Sequence, residues 1–250
     1  MAAFKEYINC KKGTIPLILS VSHGGTLECE EIPKRSSGIL GIDKGTISLA
    51  NGLISYIKSI SLRDLSIEYT PSFIISKVRR SRIDLNRKST EAYNLDSLLA
   101  KEIYEFYHKT LKELIISNIR HFNRSLLVDI HGFEKHKRPP GYRDVEIVLG
   151  TNNLKSLFFE PISKRDWDKN VRGQIINKFH ELDIPIAPTH PRRKEYVLTG
   201  GFISQQYGAS QIPESQAIQI EFSDIIRFHD KNLRTKVLKA LAEILIEEII

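Results

Sequence analysis

The chain has 250 residues, 41% hydrophobic and 27% charged, with a formal charge of +7 and two cysteines. This composition excludes a wholly disordered chain, a disulfide framework and a cysteine-rich zinc module, and it suits a single domain with a sizeable core. No apolar run is long enough to cross a membrane, and Met1–Glu6 lacks a secretory apolar stretch, so a cytoplasmic location is expected.

In chain order, Thr14–Ser22 is a continuous apolar run closed by His23-Gly24-Gly25, the pattern of a strand buried on both faces. Thr46–Ile60 sets Ile47, Leu49, Ala50, Leu53, Ile54 and Ile57 on one helical stripe. Leu65–Tyr69 and Phe73–Val78 are short and rich in strand formers. Asn94–Arg120 is a long helical pattern. Ser125–Ile130 is a second buried strand, stopped by His131-Gly132, and Asp144–Leu149 is a third, ending at Gly150. Asp166–Leu182 repeats with helical period, Ala217–Phe222 is another core strand, and Lys231–Ile250 closes the chain as an amphipathic helix. Strands alternating with helices predict an α/β domain spanning 1–250, with a mixed or mostly parallel sheet. In such sheets ligands bind beyond the carboxyl ends of the strands. His23, His131 and Glu221 fall at or near those ends.

Each of these residues has two readings. The two glycines after His23 allow a sharp turn that brings Glu28 back beside it. Two histidines and one carboxylate form the ligand set of an open catalytic zinc site, so His23, Glu28 and His131 are candidate ligands of one divalent ion. The alternative is a histidine closing its strand and a solvated acid. Asp129, two residues before His131, shares its side of the strand and can orient the imidazole from behind the metal, or cap a neighbouring N–H. On an extended chain Arg82, Asp84 and Asn86 share a face, and Arg82, Asn86 and Arg87 suit a substrate carboxylate; a surface ion-pair segment is the rival. Glu221 lies inside an apolar strand. Burial would raise its pKa and suit it to take a proton from water, unless it is an edge-strand acid. The Gly-rich segment Leu198–Gly208 offers backbone amides around Gly201 and a hydrogen-bonding Tyr207. It lacks the ending of a phosphate loop.

The stretches SHGGTLE (Ser22–Glu28), SRIDLNR (Ser81–Arg87), LVDIHGF (Leu127–Phe133), VEIVLG (Val145–Gly150), GGFISQQYG (Gly200–Gly208) and QAIQIEFS (Gln216–Ser223) resemble, in order, the N-formylglutamate amidohydrolase family. That family belongs to the zinc carboxypeptidase-like hydrolases, with aspartoacylases and poly-γ-glutamate hydrolases. The resemblance implies a three-layer α/β/α sandwich around a mixed, mostly parallel sheet. It implies zinc held by His23, Glu28 and His131, Glu221 as general base, and Arg82, Asn86 and Arg87 around the substrate carboxylate. Arg82 would also lie near the developing oxyanion or a second carboxylate. The wider superfamily has its acid three residues after the histidine, where this chain has Thr26; Glu30, Glu31 and Cys29 stand as substitutes for Glu28. The expected reaction is hydrolysis of a linear amide in a small anionic N-acyl amino acid or peptide.

The basic surplus, with clusters at Lys77–Arg87, Lys135–Arg143 and Arg192–Lys194, motivates two other readings: a nucleic-acid-binding protein, and a hydrolase of an acylated macromolecule such as a peptide or aminoacyl-RNA. A catalytically inactive scaffold is a third. A membrane partner is not expected, and a homo-oligomer is compatible with the composition.

Overall fold

Strand propensity and burial meet first in Leu17–Val21, where all five residues are buried. The computed structural model describes residues 4–138 and 144–249. In chain order the elements are β1 (Ile8–Lys11), β2 (Leu17–Val21), α1 (Thr46–Leu65), β3 (Ser72–Ser76), α2 (Ser89–Ala92), α3 (Leu98–Phe122), β4 (Ser125–Phe133), β5 (Ile147–Gly150), α4 (Val171–Glu181), β6 (Ile186–Ala187), α5 (Phe202–Gln206), β7 (Ser215–Ser223) and α6 (Lys231–Ile249). The strands form one sheet in the order β1-β3-β2-β4-β7-β5-β6. β3, β2, β4 and β7 run parallel, as do β5 and β6, while β1 on β3 and β5 on β7 are antiparallel. The sheet is therefore mixed and mostly parallel, as expected.

Both faces are covered, which explains why the central strands read as unbroken apolar runs. Successive side chains of β2 leave on opposite faces: Leu17, Leu19 and Val21 enter one core and Ile18 the other. On the first face Leu49, Leu53 and Ile57 of α1, Ile175 and Phe179 of α4, and Leu241 and Leu245 of α6 join Val128 and Ile218 of the sheet. On the second, Ile103, Tyr107, Leu111 and Ile115 of α3 join Ile74, Leu127 and Ala217. Two helical layers enclose the sheet. Full burial of each such aliphatic side chain contributes roughly 1.5–3 kcal/mol before entropy is charged against it.

Local chemistry sets several boundaries. α3 starts at Leu98, four residues later than its periodicity alone suggests, because the Ser97 side chain accepts the Ala100 N–H and caps the helix there. It ends where Asn123 adopts a left-handed conformation at φ 58°. Asn170 caps α4 in the same way by accepting from Arg172 and Gly173, so the helix is shorter than the Asp166–Leu182 pattern.

Three expectations change. Leu65–Tyr69 is not a strand: α1 runs through Leu65, and Leu65 and Ile67 are exposed on the connection to β3. Arg79–Arg87 is not extended but a succession of turns, with Arg82 and Ile83 both donating to the Arg79 carbonyl. Part of the Gly-rich segment forms α5. β1 and β6 are four and two residues long, too short to show a pattern in sequence. The basic and proline-rich stretch Pro139–Arg143 lies outside the described residues.

Candidate metal centre

The parallel strands β2 and β4 lie side by side, and their carboxyl ends bring His23 and His131 together. His23 follows β2 by two residues; His131 lies within β4, opposite Glu221 of β7. The two imidazole centroids are 4.8 Å apart, with the rings at 69°. Both histidines are almost fully buried. The turn after His23 needs its glycines. A Cβ on Gly25 would come within 2.3–2.6 Å of the Lys77 and Val78 backbone, and one on Gly24 within 2.6 Å of Thr46 Oγ1.

Each ring is held through Nε2 by a buried carboxylate. His23 Nε2 lies 2.6 Å from Asp84 Oδ1, and His131 Nε2 lies 2.8 Å from Asp129 Oδ2. Both acids are fully buried and are themselves fixed. Ser20 donates to Asp129 Oδ1 at 2.5 Å; Arg80 Nε and the Asn86 N–H donate to Asp84 at 3.0 Å each. The Nδ1 atoms turn toward a third acid, Asp43. Its Oδ2 is 3.0 Å from His131 Nδ1 and 3.5 Å from His23 Nδ1. Asp43 reaches this point from the loop before α1, where its N–H donates to the His23 carbonyl at 2.9 Å. Among the described residues, His23, Asp43 and His131 form the group of metal-competent side chains, with ligand atoms within 4.8 Å of one another.

The donors fit a divalent ion. His23 Nδ1 is buried with no hydrogen-bond partner, although a polar atom so placed is costly to leave alone. A carboxylate behind each imidazole fixes its tautomer and raises its basicity, the usual support of metal-bound histidine. Nitrogen and carboxylate donors in a set of three suit zinc in a site with an open position. The electrostatics agree. Burial alone would raise the Asp43 carboxyl, but the two histidines outweigh it and hold it far below the usual carboxylate range. Asp84 is likewise depressed, burial being overcome by His23 and Arg80. For His131 burial opposes protonation, and Asp129 and Asp43 prevail, raising it well above its ordinary value.

Glu28, expected beside His23, is elsewhere. Its half-exposed side chain pairs with Arg79 and lies 3.6 Å from Arg82, outside the acid–imidazole cluster. The physical reason is the path after Gly25: Leu27 bridges to Val78 in parallel register, which carries Glu28 alongside the arginine turn. Glu30 is exposed, and Tyr7 donates to Glu31. Cys29 is a buried thiol pushed up to about 11, chiefly by burial, and so is a poor source of thiolate. Arg82 also points away. Its Nη1 donates to the Ile32 carbonyl, since the turn replaces the extended geometry that would have aligned it with Asp84. Arg80 takes the inner position, with Nε on Asp84 and Nη1 3.8 Å from Asp43.

Asn86 is at the centre as expected. Its Nδ2 lies 3.2 Å from His131 Nε2, and its Oδ1 accepts from the Ile203 N–H at 2.7 Å. Gly201 packs against it so closely that a Cβ there would lie 2.3 Å from Asn86 Nδ2. Arg87 stands at the rim, with its side chain 44% exposed and Nε 3.9 Å from Asp84. Glu221 has one oxygen on Arg138 at 2.8 Å and the other on Gln219 Nε2 at 3.1 Å. Tyr207 is buried in the α3 core with its hydroxyl 2.8 Å from His108 Nδ1, so the hydroxyl is committed there. Asp43, Asp84 and Arg80 are the residues that sequence reasoning missed. Asp84 stood inside a segment already singled out, whereas nothing in the local pattern marked Asp43.

Two solved structures share this arrangement of strands and helices. One is the N-formylglutamate amidohydrolase from Ralstonia eutropha, with a TM-score of 0.63 and 13% identity over 96% of each chain. The other is a gene product of Agrobacterium tumefaciens, with a TM-score of 0.58 and 14% identity over 97% of this chain and 93% of that one. The chain has their fold. At this identity the likeness concerns the fold, which is the three-layer sandwich that the sequence motifs implied. No family model and no curated protein sequence matches the chain.

Proposed function

We propose that this chain is a zinc-dependent amidohydrolase that cleaves the linear amide of an N-acyl amino acid of the N-formylglutamate type. The observation that carries the reading is the pair of imidazoles, each braced at Nε2 by a buried acid and each turning Nδ1 toward Asp43. The fold, shared with a protein named as an N-formylglutamate amidohydrolase, supports it.

In this reading His23, Asp43 and His131 hold the ion, and Asp43 takes the place first assigned to Glu28. When bound, the ion supplies Lewis acidity for the acyl oxygen and for the attacking water. Glu221, in register with His131 across β4 and β7, accepts a proton from the water at its carboxylate and returns it to the departing amine. Arg87 presents its exposed guanidinium to the substrate carboxylate, while Asn86 ties the turn beneath it to α5. Arg80 donates to Asp84 at 3.0 Å and reaches within 3.8 Å of Asp43, and so backs the carboxylate that braces His23. Arg82 has no part in the reading, because its guanidinium is spent on Ile32 and Glu28.

Metal analysis tests this directly. The purified chain is expected to carry close to one zinc, lost in His23→Ala and His131→Ala. Glu221→Gln is expected to keep its zinc and lose about 10²–10⁴-fold in turnover of N-formylglutamate. A folded wild type that takes up no zinc would overturn the proposal.

A further inference from the structure

We propose that α3 is the interface of a symmetric dimer, its outer face packing antiparallel on the same face of a second copy of this chain. α3 is 25 residues long, or about 37 Å. α1 and α4 both pack against α6, whereas the helical neighbours of α3 are the short α2 and α5. The outward stripe of α3 is Glu102, Phe106, Lys109, Glu113, Ile116 and Arg120, spaced alternately by four and three residues. That alternation keeps the six on one side of a helix and is the spacing of helices that pair lengthwise. Phe106 and Ile116 are half-buried, and the four charged residues are exposed. A groove of about 480 Å³ follows the second half of the stripe, where Lys109, Glu113, Ile116 and Arg120 help to line it. None of these residues belongs to the metal centre.

Two features say what covers this face. The first is unspent charge. Among the described residues the ion pair within α3 joins Lys101 to Glu105 at 3.9 Å, and Glu102, Lys109, Glu113 and Arg120 have no ion pair. The second is the symmetry of the stripe. Positions equidistant from Leu111 are complementary: Lys109 with Glu113, Phe106 with Ile116, and Glu102 with Arg120. A two-fold axis crossing α3 at Leu111 sets each residue opposite its complement in the second copy, so each pairing occurs twice. The second copy's Glu102–Lys109 half then lies along the groove. There its Phe106, widened by the Phe4 ring 5.1 Å away, meets Ile116. A parallel pairing would set Glu102 on Glu102 and Lys109 on Lys109, which is repulsive. A nucleic acid would meet Glu102 and Glu113 within the same stripe, so the charges favour a second copy over a polyanion.

The test is a charge swap read by sedimentation equilibrium of the full chain. The wild type is expected to dimerise reversibly in the micromolar range, and more weakly as salt rises, because the pairs sit at an exposed face. Glu113→Lys places lysine opposite lysine, and Lys109→Glu places acid opposite acid. Each is expected to weaken the dimer about tenfold or more. The double variant Lys109→Glu with Glu113→Lys restores the pairing in reverse and is expected to recover most of the loss. Both sites are exposed, so the variants should keep the fold, with circular dichroism as the control. A wild type that stays monomeric at high micromolar concentration would overturn the proposal. So would single variants that dimerise like wild type, or a swap that recovers nothing. A monomeric wild type whose affinity for an RNA oligonucleotide rises in Glu113→Lys would assign the stripe to nucleic acid and equally overturn it.

Discussion

Asp43→Asn compared with Glu28→Gln separates the two acids that compete for the metal. Asp43 Oδ2 lies between the imidazole Nδ1 atoms at 3.0 and 3.5 Å, whereas Glu28 pairs with the half-exposed Arg79 and faces solvent. Replacing a partner that only braces a metal-bound histidine costs about 10–100-fold in metal affinity. Removing the charge of a ligand itself should exceed that. Asp43→Asn is therefore expected to weaken zinc by more than about 100-fold with the chain still folded. Glu28→Gln loses an exposed ion pair worth about 0–1 kcal/mol, with zinc affinity unchanged. Competition against a chelating dye, with circular dichroism as the control for folding, measures both. Wild-type zinc affinity in Asp43→Asn, or an equal loss in Glu28→Gln, would refute the assignment of Asp43.

Three further outcomes are expected. Asp84→Asn leaves Arg80 and Arg35 without their buried counter-charge; it should cost about 3–5 kcal/mol of stability and roughly 10–100-fold in zinc affinity, read by denaturant titration and metal competition. Burial holds His108 down to about 4, against about 6.5 in the unfolded chain. The unfolded state therefore binds its proton first, and stability should fall as pH drops from about 6.5 to about 4, by at most about 3 kcal/mol. His108→Gln should flatten that limb in acid-dependent thermal melts, and an unchanged limb would exclude His108 as its source. Arg172→Ala strands Glu195, which is fully buried against it at 3.2 Å and accepts from the Thr151 and Asn153 N–H groups. A loss of about 3–5 kcal/mol is expected by chemical denaturation.

Most of the architecture was legible because it follows from periodicity. A sheet covered on both faces demands buried, largely apolar strands such as Leu17–Val21 and the first half of Ser125–Phe133, and covering helices demand stripes such as that of α1. β1, β6 and α5 were illegible because two to five residues carry too little pattern against glycine and polar neighbours. Within the centre, His23, His131, Asp129 and Asn86 could be singled out, each ending a strand or standing in a dense polar motif. Their mutual distances could not.

The sequence by itself determined the alternation of strands and helices, and with it which strand ends could gather ionisable groups. It also determined the two-residue spacing that puts Asp129 behind His131, since strand geometry sets successive side chains on opposite faces. Only the tertiary structure decided which acid joins the histidines. Proximity along the chain favoured Glu28, five residues from His23. The bridge from Leu27 to Val78 draws that stretch to the arginine turn, and the loop entering α1 delivers Asp43 instead. A turn rather than a strand at Arg79–Arg87 likewise exchanged Arg82 for Arg80. Loop paths are set by contacts distant in sequence, so local spacing carries no record of them.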